Sequence, residues 1–134
     1  MEKIDRRNFI QKSALIGGVI LTNPLEKAKM ENKQIVHHVF FWLKNSGSVA
    51  DRDKLVEGVK SLKAIPTIKN LKVGVLASTE KREVVDTSWD VSELMFFDDL
   101  AGQKVYQDHA IHQEFIKNYS HLWQKVIVYD MLEA

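Results

Sequence analysis

The first apolar segment of the domain, residues 34–44, reads QIVHHVFFWLK and is rich in β-branched and aromatic residues. Its apolar residues lack the three-to-four-residue spacing of a helix, so the segment is predicted to be a β-strand. Both sets of alternating positions are largely apolar, which is typical of a strand that is covered on both faces. Helices of the same chain can cover one face, and in so short a chain a second subunit is expected to cover the other.

A helix is predicted next, over residues 50–64. Its apolar residues recur at spacings that place them along one face of a helix. These residues are Leu55, Val59, Leu62 and Ile65. Pro66 follows directly and is expected to end the helix, because proline lacks the backbone N–H that a helix interior needs.

The later part of the chain predicts three more strands and two helical segments. The predicted strands cover residues 71–76, 89–97 and 125–132, and the helical segments start near Leu100 and cover 113–123. Asp98 or Asp99 is expected to cap the first of these helices, and residues 109–112 are expected to form a joint. In the strand 89–97, one set of alternating positions consists of Val91, Glu93, Met95 and Phe97.

The predicted order of elements is β-α-β-β-α-β. This is the order of a ferredoxin-like α+β unit whose helices lie on one face of the sheet. The other face of such a sheet is apolar and needs a partner. Pairing two sheets face to face closes a barrel between two subunits, so the sequence predicts a homodimer that forms a dimeric α+β barrel.

The N-terminal segment differs from the rest and resembles a twin-arginine export signal. Arg6 and Arg7 precede a short apolar stretch, residues 14–21. A short apolar core between basic flanks is typical of a removable signal that is read by a receptor. We therefore predict a signal over residues 1–30, a domain over residues 31–134, contact with the twin-arginine export machinery, and a periplasmic location. The alternative is an amphipathic N-terminal helix.

The amino-acid composition argues against several classes of function for the domain. Six of the 19 basic residues and three of the 18 acidic residues lie within residues 1–30, which leaves 13 basic and 15 acidic residues. This balance argues against nucleic-acid binding, which needs a concentrated basic surface. The chain has no cysteine, which excludes disulfides, thiolate metal sites and a cysteine nucleophile. No apolar run reaches the roughly 18 residues of a transmembrane helix, so no stable membrane span is expected.

Side chains suited to chemistry cluster between Tyr106 and His112, where the sequence reads YQDHAIH. This segment resembles the Y-x-x-H-P-x-H signature of the stress-responsive α/β-barrel (Dabb) domain family, with Ala110 at the position of the proline. The IP and LKVG motifs within residues 65–74 and the paired histidines of the first strand are also similar to the family. The resemblance covers residues 34–132 and implies a dimeric α+β barrel.

A cyclase of this family is similar at further positions, and this resemblance implies an active site. His112 would take a proton from the carbon next to a carbonyl group, and Tyr106 would donate a hydrogen bond to the developing enolate oxygen. Histidine suits this role because its ordinary pKa lies near neutral pH. Asp130 would hold the His112 imidazole by accepting its other N–H. The implied pocket lies between sheet and helices, and its substrate-binding residues are His38, Phe40, Trp42, Trp123, Val128 and Asp130.

Other functions stay open at this point. Family members without known enzyme activity share the tyrosine and both histidines, so the motif could serve a non-catalytic, stress-associated structural or binding protein. His109 and His112 could join a strand histidine in a metal site, although zinc needs three converging ligands and adjacent strand residues point to opposite faces. A haem-associated barrel rests on fold analogy alone. No cofactor is predicted, and a small-molecule ligand is the expected partner besides the second subunit.

Overall fold

The computed structural model describes residues 23–134, so the twin-arginine motif and the apolar stretch after it lie outside the described residues. The described part begins with helix α1 (Pro24–Glu31). Proline suits the first position of a helix, and the side-chain oxygen of Asn23 accepts a hydrogen bond from the N–H of Leu25 at 3.1 Å. Within residues 23–134, no helix is long and apolar enough to cross a membrane.

The elements of the domain follow the predicted order. They are β1 (Ile35–Leu43), α2 (Val49–Ser61), β2 (Asn70–Val75), β3 (Val91–Phe97), α3 (Leu100–Asp108), α4 (Ala110–Tyr119) and β4 (Trp123–Leu132). This arrangement confirms the predicted ferredoxin-like α+β fold. Several boundaries differ by one to three residues. The largest difference is at the second helical segment, where α4 ends at Tyr119, a 3-10 turn (Ser120–Leu122) follows, and Trp123 begins β4 instead of ending a helix.

The strands form one antiparallel sheet in the order β2-β3-β1-β4. At the middle of β1, Val39 is paired with Glu93 of β3 on one side and with Val128 of β4 on the other. Two residues earlier, His37 is paired with Asp130 of β4. This register brings residues that are far apart in the sequence next to each other on one face of the sheet.

Helices α2, α3 and α4 cover that face, and the core lies between them and the sheet. The side chains of β1 alternate between buried and half-buried positions, and the buried set faces the helices. The core consists of Ile35, Val39, Phe41, Leu43, Leu55, Val59, Leu62, Ile65, Val91, Met95, Phe97, Tyr106, Phe115 and Leu122. Where α2 meets α4, a Cβ on Gly58 would lie 2.7 Å from the Tyr119 ring, so the two helices approach this closely because Gly58 has no side chain.

The opposite face of the sheet, which we call the open face, has no covering element in the described part of the chain. It carries Val36, His38, Phe40, Trp42, Ser92, Leu94, Phe96, Ile127, Tyr129 and Met131. Tyr129 is 61 % exposed and Met131 is 58 % exposed. The sequence predicts that one face of the sheet is apolar and that a second subunit covers it. The open face is apolar, as predicted.

Candidate functional site

The joint predicted over residues 109–112 is present between α3 and α4, but it consists of His109 alone, because α4 already begins at Ala110. His109 lies there in an extended conformation, and its Nδ1 accepts a hydrogen bond from the N–H of Ile111 at 3.1 Å. His109 is thus the N-cap of α4. Tyr106 in the last turn of α3 and His112 in the first turn of α4 lie on either side of the joint, with their ring centroids 4.7 Å apart.

The Tyr106 side chain lies under α3 and is 1 % exposed. Its ring packs against those of Phe97 and His37, at centroid distances of 5.3 and 5.5 Å. Its hydroxyl donates a long hydrogen bond, 3.5 Å, to Oε1 of Glu93. Burial, and after it the negative charge that Glu93 carries once it is ionised at high pH, raises the pKa of Tyr106 above its ordinary value. The hydroxyl therefore stays protonated near neutral pH and is a hydrogen-bond donor.

His112 is half-buried beside Tyr106. Burial is the main cause that lowers the pKa of His112, and the charge of His37 lowers it further. A hydrogen bond to the backbone of Gln107 opposes both effects in part. The imidazole is therefore favoured in its neutral form near neutral pH. A neutral imidazole can accept a proton, which is what a general base requires.

The structure corrects the predicted partner of Asp130. Its Oδ1 lies 2.5 Å from Nδ1 of His37, not beside His112, because the register of β1 and β4 pairs these two residues. A carboxylate only accepts hydrogen bonds, so Nδ1–H of His37 is the donor. His37 is buried on the helix-covered face, where its ring contacts that of Tyr106. The histidine that joins the site from the first strand is therefore His37.

A cavity of about 290 Å³ lies between the sheet and helices α3 and α4. Its polar lining consists of His37, Glu93, Tyr106, Gln107 and His112. Its apolar lining consists of Val39, Phe41, Phe115, Ile116, Trp123, Val126 and Val128. Val126 and Val128 are partly exposed, at 37 % and 46 %, so solvent reaches the cavity along β4. The structure thus places two of the predicted substrate-binding residues, Trp123 and Val128, at the cavity.

The structure does not bring His38, Phe40 and Trp42 to this cavity, and their predicted position in the pocket is wrong. Successive side chains of a strand point to opposite faces, and these three lie on the open face. There the hydroxyl of Ser92 donates a hydrogen bond to the C=O of Val39 at 2.9 Å. Nε2 of His38, 2.9 Å from the same hydroxyl oxygen, is therefore the donor to Ser92.

Glu93 belongs to the site although no sequence motif marks it. The side chain is 2 % exposed, and its Oε2 has no hydrogen-bond partner among the described residues. Burial raises the pKa of Glu93 to about 8, and the hydrogen bond from Tyr106 opposes this in part. The sequence does contain a signal, because Glu93 shares one face of β3 with Val91, Met95 and Phe97. A glutamate in an otherwise apolar, buried set is rare.

The histidines of the described chain do not converge on a metal. Residues 23–134 contain no group of three or more histidine, aspartate or glutamate side chains that could hold a metal ion. His37 and His38 point to opposite faces of β1, and His109 caps α4. The arrangement therefore gives the metal alternative no support within these residues.

Comparisons with known proteins agree with this fold. The sequence model of the stress responsive A/B barrel domain (Dabb) family matches residues 35–132. No curated protein matches the chain. A Dabb-family protein with a ferredoxin-like fold from Mesorhizobium loti has a TM-score of 0.62 at 22 % identity, over 76 % of this chain and 98 % of that chain.

Two further structures share the fold. A dimeric ferredoxin-like protein from Thermobifida fusca has a TM-score of 0.61 at 17 % identity, over 78 % of this chain and 94 % of that chain. The hydroxynitrile lyase of Passiflora edulis has a TM-score of 0.64 at 19 % identity, over 77 % of this chain and 95 % of that chain. At such identities the likeness shows a common fold.

Proposed function

The chain belongs to the stress responsive A/B barrel domain family, and we propose that it is an exported homodimer whose cavity binds a small, mostly apolar carbonyl compound and removes a proton from it. The observation that carries this proposal is the cavity, in which Tyr106 and His112 lie side by side within largely apolar walls. Its volume of about 290 Å³ is close to the lower end of the range for small-molecule sites.

The proposed reaction starts with transfer of a proton from the carbon beside the carbonyl group to the neutral imidazole of His112. The electron pair of the broken C–H bond forms the carbon–carbon double bond of an enolate, and the negative charge accumulates on the carbonyl oxygen. The protonated hydroxyl of Tyr106 donates a hydrogen bond to that oxygen, which stabilises the charge as it develops. A cyclase or lyase reaction would proceed from this enolate.

His37 is proposed to be a positioning residue for this pair. Its hydrogen bond to Asp130 holds the imidazole ring in one orientation, and that ring lies in a T-shaped contact with the Tyr106 ring at a centroid distance of 5.5 Å. The Tyr106 side chain, which α3 carries, is thereby held in place against the sheet. A fixed donor costs no reorganisation when charge develops on the ligand, which is the basis of oxyanion stabilisation.

The wild-type protein is expected to catalyse exchange of the methyl hydrogens of 2-acetylnaphthalene with deuterium oxide, because this apolar methyl ketone carries acidic hydrogens beside its carbonyl group. His112→Ala should lower the exchange rate by roughly 10²- to 10⁴-fold, the usual contribution of a general base. Tyr106→Phe should lower it by roughly 10²- to 10³-fold, as expected for a lost oxyanion donor. Mass spectrometry of the recovered ketone measures the deuterium content.

His121→Ala is the matched control, because His121 is an exposed histidine outside the cavity, and its exchange rate should equal that of the wild type. The second candidate function is a non-catalytic, stress-associated protein, which the deep burial of Tyr106 favours. In that case the wild type would not accelerate exchange. Tyr106→Phe and His112→Ala would instead lower the melting temperature, by roughly 4–8 °C for each kcal/mol lost.

Export by the twin-arginine route is the part of the proposal that rests on residues 1–30. The family match begins at residue 35 and leaves the arginine pair outside the domain. Replacing Arg6 and Arg7 together by lysine keeps the charge and removes the guanidinium pair. We expect full-length precursor to remain in the cytoplasm, as measured by cell fractionation, whereas Lys3→Arg should be exported normally. Normal export of the double variant would exclude this route.

The homodimer is proposed because the open face is apolar and partly exposed. The neighbour from Thermobifida fusca is described as dimeric, which supports the same arrangement here. A second copy of this chain, packed sheet to sheet, would bury the open face and close a barrel. Stable homodimer interfaces bury large apolar surfaces of this kind.

A further inference from the structure

We propose that Glu93 is a second hydrogen-bond donor of the cavity, a carboxylic acid whose Oε2–H meets the same ligand oxygen as the Tyr106 hydroxyl. This inference rests on the proposed function and adds the class of ligand to it. The cavity would select a neutral molecule with a carbonyl oxygen over a hydrocarbon of the same shape.

The position of Glu93 makes it a cavity residue without a partner in the sheet. It lies at the middle of β3 on the helix-covered face and lines the cavity. Its paired neighbours are Val39 of β1 and Val73 of β2, which carry no polar side-chain atom. Within residues 23–134, no basic side chain forms an ion pair with the Glu93 carboxyl group.

The two oxygens of this carboxyl group differ in their surroundings. Oε1 accepts the 3.5 Å hydrogen bond from Tyr106, whereas Oε2 is buried without a partner in the described part of the chain. A buried carboxylate with a single long hydrogen bond is far more costly than the neutral acid. The neutral acid is therefore favoured, with Oε1 as its carbonyl oxygen and the proton on Oε2. That O–H is a donor that has no acceptor among the described residues.

The titratable groups around Glu93 leave it neutral at physiological pH. Burial raises the pKa of Glu93 to about 8. The groups that face it are His37 from β1, Tyr106 from α3 and His112 from α4, with Asp130 of β4 behind His37. No titratable side chain of α2 or β2 lines the cavity. Because the pKa of Tyr106 is raised and that of His112 is lowered, neither changes its charge near pH 8.

Two donors that converge on one oxygen form an oxyanion hole. A carboxylic acid can be one of them when apolar surroundings keep its proton in place. The contact between Tyr106 and Glu93 is at the outer limit of hydrogen bonding, so the tyrosine can exchange it for a shorter bond to a ligand oxygen. Well above pH 8, the Glu93 carboxylate would repel that oxygen.

The affinity of the wild-type protein for 2-acetylnaphthalene is expected to fall roughly tenfold between pH 7 and pH 9, as Glu93 loses its proton. Glu93→Gln keeps a neutral N–H donor, so its affinity should match the wild type at pH 7 and stay constant with pH. Glu93→Leu fills a similar volume without a donor and should bind the ketone roughly tenfold more weakly at pH 7. Isothermal titration calorimetry measures all three affinities.

2-Ethylnaphthalene is the matched ligand without an oxygen atom. It should bind all three proteins with similar affinity at both pH values, because no hydrogen bond is formed or lost. The infrared stretching frequency of the bound ketone gives a second readout, since each hydrogen bond to a carbonyl oxygen weakens the C=O bond. This frequency should be lower in the wild type and in Glu93→Gln than in Glu93→Leu.

Equal affinities of the wild type and Glu93→Leu for the ketone at both pH values would overturn the role of Glu93 and leave the proposed function standing. If the wild type bound neither naphthalene and did not exchange the methyl hydrogens, both proposals would be wrong. Circular dichroism establishes that the variants are folded. Should Glu93→Leu fail to fold, the pH dependence of the wild type against Glu93→Gln still decides the question.

Discussion

Raising the pH from 5 to 8 is expected to lower the free energy of unfolding of the wild-type protein much more than that of Glu93→Gln. Burial raises the pKa of Glu93 to about 8 in the folded protein, from an ordinary value of 4.5. At a pH between these two pKa values, Glu93 keeps its proton in the folded state and has lost it in the unfolded state. The stabilisation is complete below pH 4.5 and is lost as the pH rises toward 8.

A difference of one bound proton changes the free energy of unfolding by about 1.4 kcal/mol per pH unit. Since glutamine does not ionise, the difference between the two proteins should change by roughly 3 kcal/mol between pH 5 and pH 8. Urea unfolding at each pH measures it. The lowered pKa of His112 destabilises both proteins at acid pH and cancels in the comparison. Parallel curves would contradict a neutral, buried Glu93, and this test does not depend on any ligand.

The Phe40→Asp variant is expected to be a monomer at micromolar concentration, where the wild type is expected to be a dimer. Phe40 lies on the open face, and its ring contacts those of His38, Trp89 and Tyr129 at centroid distances of 4.3, 5.2 and 6.0 Å. In the proposed homodimer this cluster is buried between two sheets. An unpaired charge there costs several kcal/mol, and a two-fold interface contains it twice, so the dimer should be weakened by roughly 10³-fold or more.

Sedimentation velocity of the wild type and the variant measures this effect, with circular dichroism as the test of folding. Val84→Asp is the control, because Val84 is 82 % exposed in the loop between β2 and β3, and a charge there should leave the dimer intact. A well-folded wild-type monomer would refute sheet-to-sheet pairing. A Phe40→Asp variant that remained dimeric would place the interface on another surface.

The order of the elements could be predicted because each is specified by a short stretch of sequence. The apolar residues of α2 recur every three to four positions, which indicates a helix. The apolar residues of β1 lack this spacing and are mostly β-branched or aromatic, which indicates a strand. The joint near His109 is also local, since that side chain caps the helix that starts at the next residue. The predicted end of α4 at residue 123 is less accurate. Trp123 is paired with Leu43 of β1 and therefore belongs to β4, and this pairing depends on the tertiary structure.

Which side chains of a strand face the helices could not be predicted in the same way. Both alternating sets of β1 are apolar, and each contains a histidine, so the pattern does not say which set faces the helices. A shift of one position exchanges the faces of all side chains in a strand. The resemblance to the family places His38, Phe40 and Trp42 in the pocket, whereas in the structure their neighbours His37 and Phe41 line it.

The sequence by itself determined that Tyr106 and His112 lie on either side of a helix joint, since helix ends depend on local propensity and capping. Only the tertiary structure decided which distant groups meet them. Asp130 and His37 are 93 positions apart, and their hydrogen bond exists because of the register between two strands. The alternation of β3 marks Glu93 as a glutamate in an apolar set, but its raised pKa arises only when α3 and the sheet bury it. Strand register and burial depend on the whole folded chain, which is why short segments cannot encode them.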